Sequence, residues 1–571
     1  MKPDRRPDPV VAAALFLLIL LVPLAWTKIF VAEYTLAKLL TLNGALLLAA
    51  WAAAANPKAL ASGSVSAEAP LAASLVVAAL SAAGADDPAT SLMGRYDSYA
   101  YGVWGLALTA ATFQLAARGV RGREADPARW LTWSAAIVGA YAIVQWLGLD
   151  PILPLSKLPT GRRAVSSLGS PVDLGAFLAV LWPVTLWRAD SERSASSWAP
   201  AVLVAAGLAA SGARGGMLAA AVGSAAYWLL SRGEPAAALR RSLAMAGATA
   251  AAALLWAFRA GAGPSDVGRR EVWKTAGELF LRRPWLGWGP DGFEDAFKFA
   301  RTDAFISAAG ATHYQAYAHN DVLHVLAGLG LAGAAAYAWL FAAQYGAARR
   351  ALAPAKSRAL AAALTAGLLA LWVNLEFNPV ALEVWALAAV CAGLLASLSA
   401  PAETDAPPRA PLLAAAALLT VSLFVAAGMA RADVDFKRGV KAHNTADFAR
   451  ARPLIARARR ARPCELSYIT GEVNTIVDWI NADRTVKARL ELLALAEEDA
   501  KQAVYCHPRQ SGAHYIAANV ARMHYDLGFK ERLADAAREY DAALALDPKF
   551  EPLLHARRET ARLQAAARSS P

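Results

Sequence analysis

Charge is scarce in this sequence. Only 18% of its 571 residues are Asp, Glu, Lys or Arg, against 57% hydrophobic ones, and a soluble protein of this length needs more. The bilayer must therefore be its main solvent. Cysteine is scarcer still: three thiols cannot build a disulfide scaffold or a four-ligand zinc site. Cys391 lies in an apolar run and is expected to be inert packing. Cys464 and Cys506 lie near the C-terminus, where a bridge would need an oxidising compartment; two unpaired thiols are expected. The basic excess, formally +12, is scattered among short segments rather than collected on one face, so no nucleic-acid partner is expected.

What the chain has instead is a succession of Ala/Leu/Val runs of roughly 16 to 20 residues, the length a helix needs to cross the hydrocarbon. They begin at Val10 and stop at Ala430. Spans are expected near 10–26, 35–55, 69–85, 99–117, 130–148, 171–187, 198–212, 215–231, 242–258, 319–345, 358–375, 380–399 and 411–430, about 12–13 transmembrane helices in all. The first follows Lys2, Arg5 and Arg6 but runs into Trp26 and Lys28 rather than a small-residue cleavage site, so it reads as a retained helix. With the N-terminus inside, the inner loops hold Arg118, Arg121, Arg123, Arg129, Arg188, Arg193, Arg232, Arg240, Arg241, Arg349, Arg350, Lys356 and Arg358, which obeys the positive-inside rule. The same parity puts 86–98, 149–170, 259–318, 376–379 and everything after Ala430 outside. Spans three and seven are the weakest, and losing either would turn the arginines at 349–358 outward.

The expected fold is all-α: a polytopic transmembrane domain over 1–430 and a helical repeat domain over 431–571. In the tail, Ala451, Ala458 and Pro463, then Ala496, Ala503 and Pro508, then Ala536, Ala543 and Pro548 keep one internal spacing, with Ile455, Ala500 and Tyr540 at matching places. This rhythm resembles the second helix and closing proline of tetratricopeptide repeats, at intervals of about 40 to 45 residues rather than about 34, so the turns are expected to carry insertions. Such α-solenoids offer a concave surface to protein partners. A plain helical bundle is the alternative.

Three places invite chemistry. Arg214 interrupts the apolar stretch from Trp198 to Leu230 at a turn made by Ser211, Gly212, Gly215 and Gly216. An arginine at the membrane boundary is costly unless an anion or carboxylate meets it; it is either a diphosphate clamp or a residue that snorkels or pairs with Glu376 or Glu383. The 259–318 loop is the only inter-helix segment large enough to fold over the membrane surface, and such loops carry function. It holds Arg269, Arg270, the run Arg283-Pro-Trp-Leu-Gly-Trp-Gly289, and at its end His313, Tyr314, Tyr317, His319 and Asn320. Gly287, Gly289 and Gly292 match dinucleotide-binding spacing but lack a βαβ context; a turn that lays tryptophans at the interface explains them better. His319 and His324 miss the helical metal spacing by one residue, so no metal is expected. His319 is either a general base or a structural residue at a helix start.

Ser-Gly-Ala-Arg-Gly-Gly at 211–216, Gly-Arg-Arg-Glu-Val-Trp at 268–273, Arg-Pro-Trp-Leu-Gly-Trp-Gly at 283–289 and His-Asn-Asp at 319–321 followed by Gly-Leu-Gly-Leu-Ala-Gly at 328–333 together resemble the O-antigen ligase and polymerase superfamily, which includes bacterial protein O-oligosaccharyltransferases. The likeness extends from about Tyr96 to Ala400. It departs from the usual pattern at Gly-Ser-Pro-Val-Asp, 169–173, and leaves no firm role for Asp173. The resemblance implies a metal-independent, inverting membrane glycosyltransferase of the bacterial inner membrane, with an undecaprenyl-diphosphate-linked glycan as donor, a glycan, lipid or protein as acceptor, and no cofactor. Lipopolysaccharide or other envelope polysaccharide synthesis is the implied process. It implies His319 as the base and Arg214 and Arg269 as the catalytic arginines, with Arg270, which could exchange roles with Arg269, and Asn320 and Tyr317 beside the substrate. A periplasmic repeat domain would add a protein partner. A non-catalytic transporter of the same lipid would need polar residues along several spans, and a repeat scaffold would leave the three catalytic residues without purpose.

Overall fold

The structure is a computed structural model that describes residues 8–61, 67–152, 163–259, 264–400, 406–482 and 485–569. Side chains at 249–267, 486–487 and 568–569 lie outside the described set, as do the basic residues before Asp8. Among the described residues the chain is helical and contains no strand.

Each of the thirteen apolar segments forms a helix. They are α1 (Pro9–Leu24), α2 (Thr35–Ala55), α3 (Glu68–Ala83), the short connector α4 (Pro88–Met93), α5 (Val103–Gly119), α6 (Ala125–Trp146), α7 (Pro171–Glu192), α8 (Ala195–Ser211), α9 (Arg214–Arg232) and α10 (Pro235–Arg259). The long loop folds into α11 (Pro264–Arg282), α12 (Phe293–Ala300) and α13 (Asp303–Ala309), before α14 (Asp321–Leu352), α15 (Ala355–Leu375), α16 (Leu382–Ser399) and α17 (Arg409–His443). Among the described residues α2, α7, α14, α15, α16 and α17 are long and apolar enough to cross a membrane, and α1, α3 and α8 are shorter apolar helices. The chain is a multi-pass helical membrane protein.

Small residues set the helix spacing. A Cβ on Gly207 of α8 would lie 2.7 Å from the Gly139 Cα of α6, and one on Gly367 of α15 would lie 2.4 Å from the Val180 carbonyl of α7. In lipid, where apolar burial alone does not draw helices together, such close backbone approach supplies the attraction. α7, α15 and α16 form the most buried part of the bundle. Lys38 and Glu383 meet there at 2.7 Å, both almost fully buried. On the outside, Leu418, Val421 and Phe424 of α17 are exposed, as lipid-facing side chains should be.

The loops sort into two sets. In one, Asp8 bonds Asn56, Arg118 bonds the Ala61 carbonyl and Glu68, Glu124 accepts from Ser397, Arg129 approaches Glu192, and Arg409 bonds the Ala54 carbonyl. In the other, Glu33 pairs with Lys437, Asp86 with Arg283 and Arg509, Asp87 with His507, and Asp303 with Lys549. α3 starts in the first set and ends beside the second, while α8 starts beside Ala189 and ends beside Arg163.

α17 runs unbroken through position 430, so the apolar part and the tail share one helix. Its 35 residues span about 52 Å, longer than the hydrocarbon is thick. Beyond it come α18 (Phe448–Ala461), α19 (Leu466–Ala482), α20 (Val486–Cys506), α21 (Ser511–Asp526), α22 (Arg532–Leu546) and α23 (Glu551–Ser569), each packed on the helix before and after it. All the alanines of the tail rhythm, with Ile455, Ala500 and Tyr540, are buried between helices. Pro463, Pro508 and Pro548 each stand two residues past a helix end. The longer of the two intervals, from Pro463 to Pro508, contains α20, which has 21 residues against 14 in α18 and 15 in α22.

Two unpaired thiols were the expectation for the tail, and the structure corrects it. Cys464 and Cys506 form a disulfide with Cα atoms 5.4 Å apart, 42 residues apart in sequence. Cys464 opens the turn before α19 and Cys506 ends α20; antiparallel packing of these helices brings the two ends together, a contact that spacing alone does not reveal. Cys391 is free and buried.

The tail is locked to the long loop by one buried cluster. Arg301, fully buried, reaches Asp547 at 2.9 Å and also donates to the carbonyls of Ala311 and His313. Tyr314 donates to the other Asp547 oxygen at 3.0 Å. Asp547→Ala would strand a buried guanidinium, and we expect a loss of about 3–5 kcal/mol of stability. Asp303→Ala, which removes the exposed partner of Lys549, should cost at most about 1 kcal/mol. Thermal melts of the full chain in detergent compare the two; equal melting would show that Asp547 does not hold Arg301.

Candidate active site at the loop face of the membrane domain

The site is built where three chain reversals meet. At the first, α8 ends on Ser211, Gly212 turns left-handed at φ +59°, and α9 starts with Arg214. Gly215 and Gly216 let this start sit close. A Cβ on Gly216 would lie 2.7 Å from the Gly175 backbone, and one on Gly215 would lie 2.6 Å from the Asn378 side chain. Arg214 is thus fixed beside the turn that follows α15. Its side chain is exposed and makes no hydrogen bond or ion pair among the described residues. Of the carboxylates that might have neutralised it, Glu383 pairs with Lys38, and Glu376 accepts from the neutral Asn320 amide through one oxygen, its other oxygen having no hydrogen-bond partner among the described residues.

The second reversal is the 376–381 turn itself. Its Phe377 carbonyl faces His319 Nδ1 at 3.3 Å. Asp173, for which the sequence left no role, accepts the Ala381 N–H at 2.9 Å and so anchors the end of this turn at the start of α16.

The third is the entry to α14. His319 adopts φ +52°, a left-handed conformation uncommon outside glycine and tolerated by histidine. Trp273 of α11 donates to its carbonyl at 3.4 Å. Asn320 then caps the helix, accepting the Leu323 N–H at 2.9 Å while its amide donates to Glu376 at 2.6 Å. Both ends of the Asn320 side chain are thereby engaged. Burial and the nearby Asp321 raise the Glu376 carboxyl to about 7.

His319 Nε2 lies 3.0 Å from Gln315 Oε1. Two acceptors around one imidazole would suit only the protonated ring, yet burial and the Arg269 charge push its pKa below the ordinary histidine value. A neutral ring donates through Nδ1 to Phe377, and Gln315 then turns its amide nitrogen to Nε2. That leaves the Nε2 lone pair as the proton acceptor.

Arg269 is half-buried on α11 and, among the described residues, has no hydrogen bond or ion pair; its charge is felt at His319. The adjacent Arg270 acts on Glu271 instead, a carboxylate held down by Lys274 and Thr302. Tyr317 bonds Ser98 at 3.0 Å and packs at tilted angles against Tyr101 and His324. His324, one turn into α14, is caged by Tyr101, Tyr317 and Phe293.

The motif Arg-Pro-Trp-Leu-Gly-Trp-Gly and the glycines of 328–333 explain one another. α14 breaks at Gly330, φ +65°, and the freed backbone groups bond the motif: Leu331 N to Pro284 O, Gly289 N to Gly328 O. A Cβ on Gly287 would come within 2.4 Å of Gly328. The expected surface turn is therefore a backbone splice between loop and span, with Trp285 left exposed.

Tyr101, Asp321 and His324 border both a small cavity at His319 and a larger apolar one of about 180 Å³ below. Through Leu71, Thr109, Tyr337, Leu340 and Trp385 the latter adjoins another of about 210 Å³ among α5, α10, α14, α15 and α16. Gln315 and the Phe377 carbonyl were not singled out from sequence, where only the i−4 spacing of Gln315 to His319 hints at one of them, and Glu376 was considered as a partner of Arg214 rather than of Asn320.

A helical, multi-pass membrane protein with two uncompensated arginines and a neutral histidine at one loop face is the class this geometry defines. Residues 199–338 match the family model described as O-Antigen ligase, and all six residues singled out from sequence, Arg214, Arg269, Arg270, Tyr317, His319 and Asn320, fall within the match. Over residues 199–338 the chain thus resembles the O-antigen ligase/polymerase superfamily, a likeness that points to a membrane glycosyltransferase-like enzyme. No curated protein matches the chain.

Proposed function

We propose that this protein transfers a glycan from an undecaprenyl-diphosphate carrier to an acceptor hydroxyl on the outer side of the bacterial inner membrane. The observation that carries the reading is that Arg214 and Arg269 are both without a hydrogen-bond or ion-pair partner among the described residues, while His319 touches the 376–381 turn beside Arg214 and feels the charge of Arg269 on α11. The anomeric carbon–oxygen bond breaks, its electron pair leaving with the diphosphate, and the guanidinium groups meet that growing charge. The acceptor oxygen attacks the opposite face of the anomeric carbon and gives its proton to Nε2 of His319, replacing Gln315 there. Inversion follows from this in-line attack. A diphosphate is already a good leaving group, so the step calls for no metal or nucleotide. The apolar cavities below the site suit a polyprenyl chain.

Two observations favour the outer side. Arginine-rich loops gather on the opposite face, and a disulfide ties the tail, as oxidising compartments allow. We read α18–α23 as tetratricopeptide-like pairs whose surface takes a protein partner. Ligase is the first choice over polymerase or protein O-oligosaccharyltransferase. Cysteines placed at exposed Asp303 and Lys501 should react with an impermeant reagent in intact cells freed of their outer membrane; reaction only after lysis would reverse the topology. Transfer is read with purified protein, lipid-linked donor and acceptor. Comparing lipopolysaccharide, capsule and glycoprotein profiles after gene deletion names the acceptor, and no change in any of them would count against the reading.

A further inference from the structure

The tail and the membrane domain enclose a cleft of about 560 Å³ that no step above uses, within the roughly 300–1,000 Å³ range of ligand pockets. Its floor is the 93–97 turn and α12; its roof is the turn after α18, tied by the Cys464–Cys506 bond, and the turn after α20.

The lining is polar, and its cations are already matched. Arg95 faces Glu294 at 3.4 Å and Asp97 at 3.9 Å, Lys298 holds Asp295 at 2.7 Å, Arg462 meets Glu465 at 3.1 Å, and His507 meets Asp87 at 3.1 Å. A phosphate would find no uncommitted positive charge here, in contrast to Arg214 and Arg269. Paired carboxylates, guanidinium groups and the Gln510 amide instead offer alternating donors and acceptors, the pattern that hydroxyl groups match.

Asp291 supplies the second observation. It lines both this cleft and the apolar cavity beneath, and is 4% exposed. One carboxylate oxygen accepts the Arg95 N–H at 2.9 Å; the other is buried with no partner among the described residues. Such an unmet acceptor is destabilising, and a ligand hydroxyl reaching the cleft floor that Asp291 lines would satisfy it. The floor also reaches the reaction site. Arg95 lies over Tyr317, 5.5 Å from the ring centre, and Tyr317 is two residues from His319.

We propose that this cleft binds a neutral, hydroxyl-rich saccharide, one of the two sugar chains the enzyme joins, and that Asp291 accepts a hydroxyl hydrogen bond from it. The assignment to a joined chain rests on the glycan-transfer reading. A photo-crosslinking residue at Ser467, in the full-length protein in its native cells, tests the cleft itself. A ladder of hexose-type mass increments on the captured peptide is expected. A captured polypeptide, or no adduct while the same probe at Leu418 captures lipid, would overturn the proposal. In purified protein, Asp291→Asn should raise KM about ten-fold for one saccharide substrate, as loss of a hydrogen bond to a charged group does. A change confined to the donor assigns the cleft to the donor glycan, and one confined to the acceptor assigns it there. Unchanged KM for both would overturn the Asp291 role. Absence of transfer by the wild type would sink the reaction, while the crosslink still reports on the cleft.

Discussion

Arg214→Ala is expected to lower transfer by at least about 100-fold, the scale of removing one preorganised donor from a developing anion. The protein should remain folded, because the side chain is exposed and has no partner among the described residues to lose. Lysine should rescue poorly: an ammonium cannot form the paired hydrogen bonds of a guanidinium on a diphosphate. Arg269→Ala should be as damaging, with an added signature. Its charge helps hold the His319 pKa down, so the low-pH limb of any residual activity should move upward, towards the ordinary histidine range. Arg270→Ala should leave that limb where it is, since Arg270 acts on Glu271. Full transfer by Arg214→Ala with purified lipid-linked donor would remove the clamp from this turn.

These expectations draw on different distances along the chain. Apolar run length located thirteen helices before the tail but not α4 or α11–α13, which lie in segments read as loops. The tail's spacing of alanine and proline marked buried positions and helix ends, because both are local consequences of helix periodicity. Arg214 was legible because a charge inside an apolar stretch is costly. What the sequence hid is long-range. Nothing near His319 announces the Phe377 carbonyl, 58 positions away, and nothing near Arg301 announces Asp547, 246 positions away. The disulfide was hidden for the same reason. Asn320 reads as a polar neighbour of His319, and only the fold gives both its side-chain ends to a helix cap and Glu376. The choice between Arg269 and Arg270 likewise needs the direction in which each faces from α11.

The largest pH effect should belong to His319. If Nε2 takes the acceptor proton, the neutral ring is the active form, and transfer falls as pH drops through its pKa. Burial and Arg269 hold that pKa below the usual value near 6.5, so activity should persist to lower pH than an ordinary histidine base allows, then fall with the uptake of one proton. His319→Ala should lose about 10²- to 10⁴-fold in turnover, the usual contribution of general base catalysis. Donor binding, held by the arginines, should survive. Gln315→Ala separates the base from a merely structural histidine. Gln315 touches Nε2 but no other part of the proposed reaction, so its loss should shift the pH limb far more than it lowers the plateau. His319 also sits at φ +52°, and His319→Asn, which tolerates that backbone, keeps the turn while removing the base. The measurement is single-turnover transfer by wild type, His319→Ala, His319→Asn and Gln315→Ala across pH, with and without a chelator. The chelator should change nothing, because diphosphate departure is assisted by arginine. Turnover by His319→Asn equal to wild type would show that the residue shapes the turn and takes no proton; activity lost to the chelator and restored by zinc would place a metal in the step instead.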